Sequence, residues 1–316
     1  MTIDPAGPRR LWNDWRVRFA LLSTVWGFSF LLIKLGTESF SPLQVSLGRI
    51  AAGAGVLLVA TAVRRDRLPR GLRVWIHLAV AGFLLNTLPF TLFGYAELRI
   101  SSTLAGICNA TTPLWGMLVG LVALSEDRPT RRRAAGLGVG FVGVLTVLGI
   151  WQGFAGQDLT GTVLALVASA SYAVGWAYLR RTLPDTGHSN LSMAAAQLTA
   201  ATAQLVLLVP FATDVPTAVS ARAVAAVLVL GVLGTGVAFL MQYRLVIEVG
   251  PTVSQTVTYF IPLVAAVAGV TLLGEELAWS TPVGAVIVLV GAAMIQTGRR
   301  GPVVTTSATP ATPGTR

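Results

Sequence analysis

Eight side chains in this sequence could bind a solute, because each is polar or aromatic and lies inside a long apolar run. Asparagine and glutamine amides both donate and accept hydrogen bonds, and tryptophan and tyrosine rings can stack on a ligand. Polar groups in such surroundings are costly and usually face a cavity or a partner helix. The eight are Trp26, Asn86, Asn109, Tyr172, Trp176, Gln242, Gln255 and Tyr259.

Structural roles are the alternative for each of them. The amides could coordinate a solute or hydrogen-bond from helix to helix. Tyr172 and Trp176 are four residues apart and so share one helix face. With Tyr259 they predict an aromatic cage or, equally, core packing, and Trp26 could stack on a ligand or pack against its neighbours.

Arg49 is the one charge that lies well inside an apolar run, seven residues after Pro42. At about 1.5 Å per residue it is about 10 Å deep. It could attract a substrate carboxylate, reach outward to water, or bind helix-end carbonyls. The residues alone leave these alternatives open.

A repeated phrase carries the remaining candidates. Residues 110–127 read ATTPLWGMLVGLVALSED and residues 259–276 read YFIPLVAAVAGVTLLGEE, each with a glutamate thirteen residues after a proline. A proline removes a backbone donor and bends its helix, as a hinge or as a static kink. The prolines, Pro113 and Pro262, therefore predict helix breaks, and the glutamates, Glu126 and Glu275, predict turn or lock residues.

Enzyme and metal chemistry find no support in the sequence. The single cysteine, Cys108, and two distant histidines cannot assemble a metal-ligand cluster. No H-E-x-x-H or G-x-S-x-G pattern is present, and the only lysine, Lys34, cannot complete a phosphate-binding loop. We expect neither an enzyme nor a cofactor.

The composition is that of an integral membrane protein. Of 316 residues 54% are hydrophobic and 11% charged, with a mean hydropathy of +0.72, whereas soluble domains are about 25% charged. A helix needs about 20 apolar residues to cross a bilayer. Ten runs approach that length: about 19–36, 42–63, 74–96, 101–124, 134–151, 160–180, 190–210, 222–245, 251–273 and 281–298.

Basic residues predict the orientation. With ten spans and a cytoplasmic N-terminus, 19 of the 23 basic residues fall in cytoplasmic segments, as the positive-inside rule requires. They are spread in short clusters between the spans, which argues against a nucleic-acid surface. Both termini are predicted inside, with residues 1–18 a cytoplasmic segment and residues 299–316 a disordered tail.

The chain is predicted to consist of two five-helix repeats, residues 19–151 and 160–298. At an offset of 149 residues, Gly82 matches Gly231 and Phe90 matches Phe239. Because five is odd, the second repeat must be inverted in the membrane, as in secondary transporters with alternating access. The predicted fold is therefore all-α, with ten transmembrane helices in two inverted repeats.

These features together resemble the drug/metabolite transporter superfamily, specifically its ten-helix EamA-type permeases. The resemblance rests on WGFSF in the first helix, Arg49 in the second, and the Pro–x12–Glu phrase that closes the fourth and ninth. It implies export of an amino acid, another small metabolite or a drug across a bacterial cytoplasmic membrane. A sugar-phosphate or nucleotide-sugar carrier and a lipid-handling, flippase-like protein are the alternatives. A coupling proton and the oligomeric state stay open.

Overall fold

Helices form all the regular secondary structure that the computed structural model describes, in residues 14–123, 130–147, 158–183 and 187–297. Eight helices are long and apolar enough to cross a membrane, and two others are shorter. In chain order they are α1 (Trp15–Gly36), α2 (Pro42–Val63), α3 (Leu72–Glu97), α4 (Ser102–Val122), α5 (Arg131–Val147), α6 (Leu159–Thr182), α7 (Asn190–Ala212), α8 (Ala221–Gly250), α9 (Thr256–Leu273) and α10 (Ser280–Thr297).

The short helices α5 and α10 occupy the fifth and tenth predicted spans, so the number of spans stays a prediction. Glu126 and the predicted tail 299–316 lie outside the described residues.

The same cap chemistry starts the first two helices of each repeat. Asp14 caps α1 and Asp158 caps α6, each through a carboxylate that accepts a backbone N–H. Ser41 caps α2 and Ser189 caps α7 in the same way, through their hydroxyl groups. These caps satisfy donors that a helix start otherwise leaves unpaired, and they align Ser41 with Ser189 at an offset of 148 residues.

The two repeats interlock. Helix α1 packs on α9 and α6 packs on α4, while α2 packs on α8 and α7 packs on α3. These contacts thus form pairs with the roles of the two repeats exchanged, as in an isologous interface. The helices of one repeat complete the core of the other.

Four glycines form the crossing of α5 and α10. A Cβ added to Gly136 would lie 2.9 Å from the carbonyl oxygen of Gly291, and one on Gly143 would lie 3.0 Å from that of Gly284. These glycines match one another across the repeats, so the crossing is reciprocal as well. The backbones touch, and side chains would force them apart.

Both repeats interrupt the same helices. Helix α3 contains a π-helical turn at Phe83–Thr87 and α8 contains one at Val232–Val237. In α4 the helix stops at Asn109 and restarts at Thr112, and in α9 a 3₁₀ turn at Thr256–Tyr259 precedes the restart at Ile261. Pro113 and Pro262 are the second residues of the restarted segments, where the predicted breaks fall.

Candidate functional site

Arg49 points from α2 into the interior of the bundle. The residue is 7% exposed; its Nε donates a 2.9 Å hydrogen bond to Thr235 Oγ1, and the guanidinium carbon lies 3.7 Å from the centre of the Phe90 ring. Thr235 is held in the π-helical turn of α8. The structure therefore argues against two of the alternatives for Arg49, a side chain that reaches outward to water and one that binds helix-end carbonyls.

The guanidinium of Arg49 has spare hydrogen-bonding capacity. Its two terminal nitrogens make no hydrogen bond, and no carboxylate comes within salt-bridge distance, in the part of the chain that the structure describes. An arginine fork binds carboxylate and phosphate in two parallel hydrogen bonds. The arrangement can thus accept an anion from the interior.

Aromatic rings line the interior next to this arginine. The Phe30 and Phe93 rings meet edge to face with centroids 5.5 Å apart, and Phe93 stacks on Tyr172 at 6.3 Å. The half-buried Trp26 packs against the same cluster. Rings from α1, α3 and α6 therefore form one continuous aromatic wall. Phe30 and Phe93 are buried in the core, so only the partly buried Trp26 and Tyr172 of this wall can pack against the apolar part of a solute.

The second repeat has an amide where the first has the guanidinium. At the offset of 148 residues that the serine caps define, Gln197 of α7 matches Arg49 of α2. Gln197 Nε2 donates to Asn86 Oδ1 at 2.7 Å, and Asn86 matches Thr235. The first repeat thus sends Arg49 to α8, and the second sends Gln197 to α3.

Close backbone contact fixes both pairs. A Cβ on Gly82 would lie 2.8 Å from the carbonyl oxygen of Gln197, and one on Gly231 would lie 2.8 Å from that of Arg49. Because the Asn86 amide accepts the hydrogen bond from Gln197, it is engaged between helices, which is the structural alternative that the sequence left open for it.

Three predicted polar groups keep unused capacity at or near the helix breaks. The Tyr259 hydroxyl and Gln242 Oε1 are buried without a hydrogen-bond partner among the described residues. The half-buried Asn109 side chain likewise makes no hydrogen bond to that part of the chain. Buried polar groups are seldom left unpaired, so these groups are suited to a ligand or to water.

The predicted aromatic cage is not assembled in this arrangement. Tyr172 faces the interior, whereas Trp176 is 54% exposed on the outside of α6. Gln255 lies in helical backbone just before the 3₁₀ turn of α9.

Glu275 joins the two repeats at one end of the bundle. Its Oε1 accepts the Ser102 backbone N–H at 2.7 Å, and its Oε2 accepts the Thr103 N–H at 3.2 Å and the Thr103 hydroxyl at 2.8 Å. A carboxylate at the start of α4 is favoured by the helix dipole as well. Glu275 thus closes this end, which we call the Glu97 end after the carboxyl beside it.

Glu97 and Lys34 complete the Glu97 end. Glu97 is 1% exposed and its Oε2 accepts a 3.0 Å hydrogen bond from the Ser102 hydroxyl. The Lys34 ammonium donates to the Ile100 carbonyl at 3.2 Å. At the opposite end, which we call the Arg18 end, the guanidinium of Arg18 pairs with Glu248.

Sequence reasoning missed several of these residues. Glu97 lies at the end of a predicted span and is not among the candidates, although it is among the most buried side chains. Phe93 gave no signal of its own, whereas Gln197 is an amide inside the predicted run 190–210 and could have been found by the criterion used for the other amides. Thr235 could have been found, because it stands at the repeat position of Asn86.

Comparisons with known proteins give a consistent result. A sequence model described as the EamA-like transporter family matches residues 15–149 and again residues 159–297. The chain is 29% identical over 259 residues to the uncharacterized inner membrane transporter YedA of Escherichia coli strain K12, covering 81% of this chain and 82% of YedA. An uncharacterized transporter of Archaeoglobus fulgidus is 25% identical over 282 residues, covering 86% of this chain and 93% of its own.

One relative has a substrate in its name. It is a probable terminal-alkyne amino-acid exporter of Streptantibioticus cattleyicolor, 26% identical over 260 residues, covering 81% of this chain and 85% of its own. Among solved structures, one crystal structure has a TM-score of 0.63 at 18% identity, covering 89% of this chain and 96% of its own. That likeness concerns the fold alone.

Proposed function

The chain belongs to the EamA-like transporter family, and we propose on that premise that it exports a small carboxylate-bearing metabolite, such as an amino acid or a drug-like acid, by alternating access. It is a multi-pass membrane transporter rather than an enzyme. The observation that carries the proposal is the buried guanidinium of Arg49, with free terminal nitrogens, beside an aromatic wall.

A buried positive charge without a carboxylate partner is costly unless an anion joins it. A substrate carboxylate would supply that anion through paired charge-assisted hydrogen bonds. Its apolar remainder would lie against Trp26 and Tyr172, with Asn109 and Tyr259 available for polar groups. The amino-acid exporter among the relatives supports this substrate class.

The charge of the site weighs against the carriers of sugar phosphates and nucleotide sugars. Such substrates carry several negative charges and require several buried basic groups. Among the described residues only Arg18 and Arg49 are buried basic residues, and Arg18 pairs with Glu248.

The reciprocal contacts between the repeats support alternating access. Two equivalent sets of helices can exchange conformations and so open a central site to either side. In this scheme ten helices cross the membrane with both termini inside, and the helix breaks before Pro113 and Pro262 act as hinges. Glu275 holds the outer side closed, and Glu126 would do the same on the inner side. The inner-membrane relative YedA supports a place in the bacterial cytoplasmic membrane.

Metabolite profiling of the medium tests the proposal. Cells that overproduce the wild-type protein should release one or more amino or other carboxylic acids that cells with Arg49→Gln retain. Trp176→Ala is the matched control, since that ring faces outward and its loss should leave release unchanged.

Two outcomes would contradict the proposal. Equal release by wild type and Arg49→Gln would remove Arg49 from the site. If no solute is released, and liposomes that contain the purified protein exchange fluorescent phospholipid between leaflets, a lipid-handling function would replace it.

A further inference from the structure

We propose that Glu97 is a binding site for a proton, and that this proton lets the two repeats close against each other at the Glu97 end. The geometry that carries the proposal is the pair of carboxyl groups, Glu97 and Glu275, which come from different repeats and meet on Ser102. The site itself does not depend on the proposed export. Only its link to the transport cycle rests on that function.

The two carboxyl groups differ in how their oxygens are satisfied. Glu275 accepts three hydrogen bonds, two of them from backbone N–H groups at a helix start. That pattern suits an ionised, acceptor-only carboxylate. Glu97 accepts one hydrogen bond, from Ser102, and its Oε1 is buried without any partner in the described residues.

An ionised Glu97 would therefore be in an unfavourable place. A buried carboxylate with one oxygen unpaired loses its hydration without replacement. A second carboxylate close by adds repulsion, and two such groups tend to share one charge. A neutral Glu97 beside an ionised Glu275 satisfies both constraints, with the added proton on the Oε1 that otherwise has no partner.

The charged groups around Glu97 do not supply a salt bridge. Lys34 on α1 is bound to the Ile100 carbonyl and Arg49 on α2 to Thr235, and neither comes within 4.0 Å of a Glu97 oxygen. Arg99, two residues on, pairs with Asp158 at the surface. Helix α7 carries no charged residue, and α6 offers the phenol of Tyr172. A proton is the cation that remains to neutralise Glu97.

Closure at the Glu97 end then involves one proton. When the repeats separate there, water reaches Glu97 and the carboxyl releases its proton to that water, leaving a carboxylate. When they close, the carboxylate takes a proton back from the same side. Acid on that side, which the basic-residue pattern predicts to be the outside, favours the closed arrangement, and alkali favours the open one.

Infrared spectroscopy tests the proton site without any substrate. Purified protein in lipid nanodiscs is brought from neutral to alkaline pH, where exposed carboxyl groups are already ionised, and the carbonyl band of a protonated carboxyl is followed. The wild type should lose such a band as the pH rises, and Glu97→Gln should lack it from the start. Glu248→Gln is the matched control at the Arg18 end and should keep it.

Three results would overturn the proton site. A band that survives in Glu97→Gln would belong to another group, and a wild type without a band would show Glu97 to be ionised. Glu97→Asp guards against a folding defect, because it should keep a titrating band at a changed frequency. If the spectra respond to added sodium ions and not to pH, the cation is sodium and the proposal is wrong. None of these results depends on export.

Spin labels test the link to closure. With Cys108 replaced by serine, labels on Leu98→Cys and Leu272→Cys report the separation of α3 and α9, since both positions are exposed. We expect a longer-distance population to grow at alkaline pH in otherwise native protein and to be absent with Glu97→Gln. The same pH response in both would contradict the link, and so would no response in either.

Discussion

Arg49 and Gln197 stand at equivalent positions of the two repeats, yet one is a charged guanidinium and the other a neutral amide. Both reach across to a π-helical turn of the other repeat, Arg49 to Thr235 and Gln197 to Asn86. The backbone carbonyl oxygen of each residue also lies against a glycine of the helix that contains the turn. A Cβ added to that glycine, Gly231 for Arg49 or Gly82 for Gln197, would lie 2.8 Å from the oxygen in both cases. The scaffold is thus alike in the two repeats, and the chemistry is not.

This difference distinguishes a residue pair that packing alone explains from a residue that is available to bind a substrate. Gln197 and Asn86 satisfy each other, so that pair can serve packing alone. Arg49 uses one of its donors on Thr235 and keeps the others, which packing does not require. In the proposed site, a bundle with one charged position would give a bound solute a single orientation, with its anionic end toward α2.

The largest expected effect comes from making the two repeats alike. Arg49→Gln should weaken binding of a carboxylate cargo by about 10- to 100-fold, because hydrogen bonds to a charged group contribute about 1.5–3 kcal/mol. A panel of radiolabelled amino acids bound to the purified protein measures this. Arg49→Lys should lose part of the affinity, since it keeps the charge without the fork.

Moving the charge gives the control for that experiment. The double variant with Arg49→Gln and Gln197→Arg restores the net charge at the equivalent position, next to Asn86 and away from Phe90. Affinity should stay low. Full recovery would mean that net charge, and not the place of Arg49, determines binding.

A second comparison concerns two glycines of the repeated phrase, Gly269 and Gly120. A Cβ on Gly269 would overlap the carboxylate of Glu275 and approach the Thr103 hydroxyl to 2.8 Å, whereas one on Gly120 meets nothing within 4 Å. Gly269→Ala should therefore lower the free energy of unfolding by about 1–3 kcal/mol through overpacking. The midpoint of thermal unfolding in detergent should fall for Gly269→Ala and hold or rise slightly for Gly120→Ala.

A smaller effect is expected at the partner of Arg49. Thr235→Val keeps the shape of the side chain and removes two hydrogen bonds, the one that Arg49 donates to Thr235 and the 3.3 Å one that Thr235 donates to the Leu230 carbonyl, each a loss of about 0.5–1.5 kcal/mol. Because Arg49 then loses its fixed direction, cargo affinity should fall several-fold while the protein stays folded. An unchanged affinity with an unchanged fold would show that Phe90 alone positions the guanidinium.

The smallest effect is expected where the ends of the repeats are joined by ion pairs. Arg99 pairs with Asp158 at 3.3 Å at the Glu97 end, and Arg18 pairs with Glu248 at the other, where Glu248 stands at the repeat position of Arg99 with the opposite charge. The first pair is the more exposed, and exposed pairs contribute little. Arg99→Gln should leave thermal unfolding within experimental scatter, and any change should vanish in high salt.

A related pH effect is expected from Asp158. The Gly161 backbone N–H, chiefly, and Arg99 hold the pKa of the Asp158 carboxyl below its ordinary value. A lowered pKa means that the cap on α6 is intact at neutral pH and is lost as the pH falls through the folded-state value. Asp158→Asn should remove that acid dependence and leave stability at neutral pH nearly unchanged, as thermal unfolding across pH would show.

The sequence predicts the helices and the repeat well, because both depend on runs of apolar residues and on local caps. The first two spans begin within four residues of the predicted places, and the helix breaks coincide with Pro113 and Pro262. The double family match confirms the two repeats.

The site could be predicted only in part. Polarity inside an apolar run identifies Arg49 and Asn86 but not their partners, because partners are set by which helices cross. Trp176 shows the limit, since it lies one turn from Tyr172 on the same helix and still faces outward. Glu97 shows a second limit: it lies near a span end, and its burial depends on the neighbouring repeat, which the sequence does not show.

The interlocking of the repeats also bears on how the protein is made. The first five helices leave the ribosome before the second repeat is synthesised. At that stage α3 lacks its partner α7, α4 lacks α6, and the glycine face of α5 lacks α10. The nascent first repeat therefore presents polar groups such as Arg49 and Asn86 to the insertion machinery and to lipid, with no partner yet synthesised. Completion of the second repeat, rather than of each helix in turn, is the step that commits the chain to its native structure.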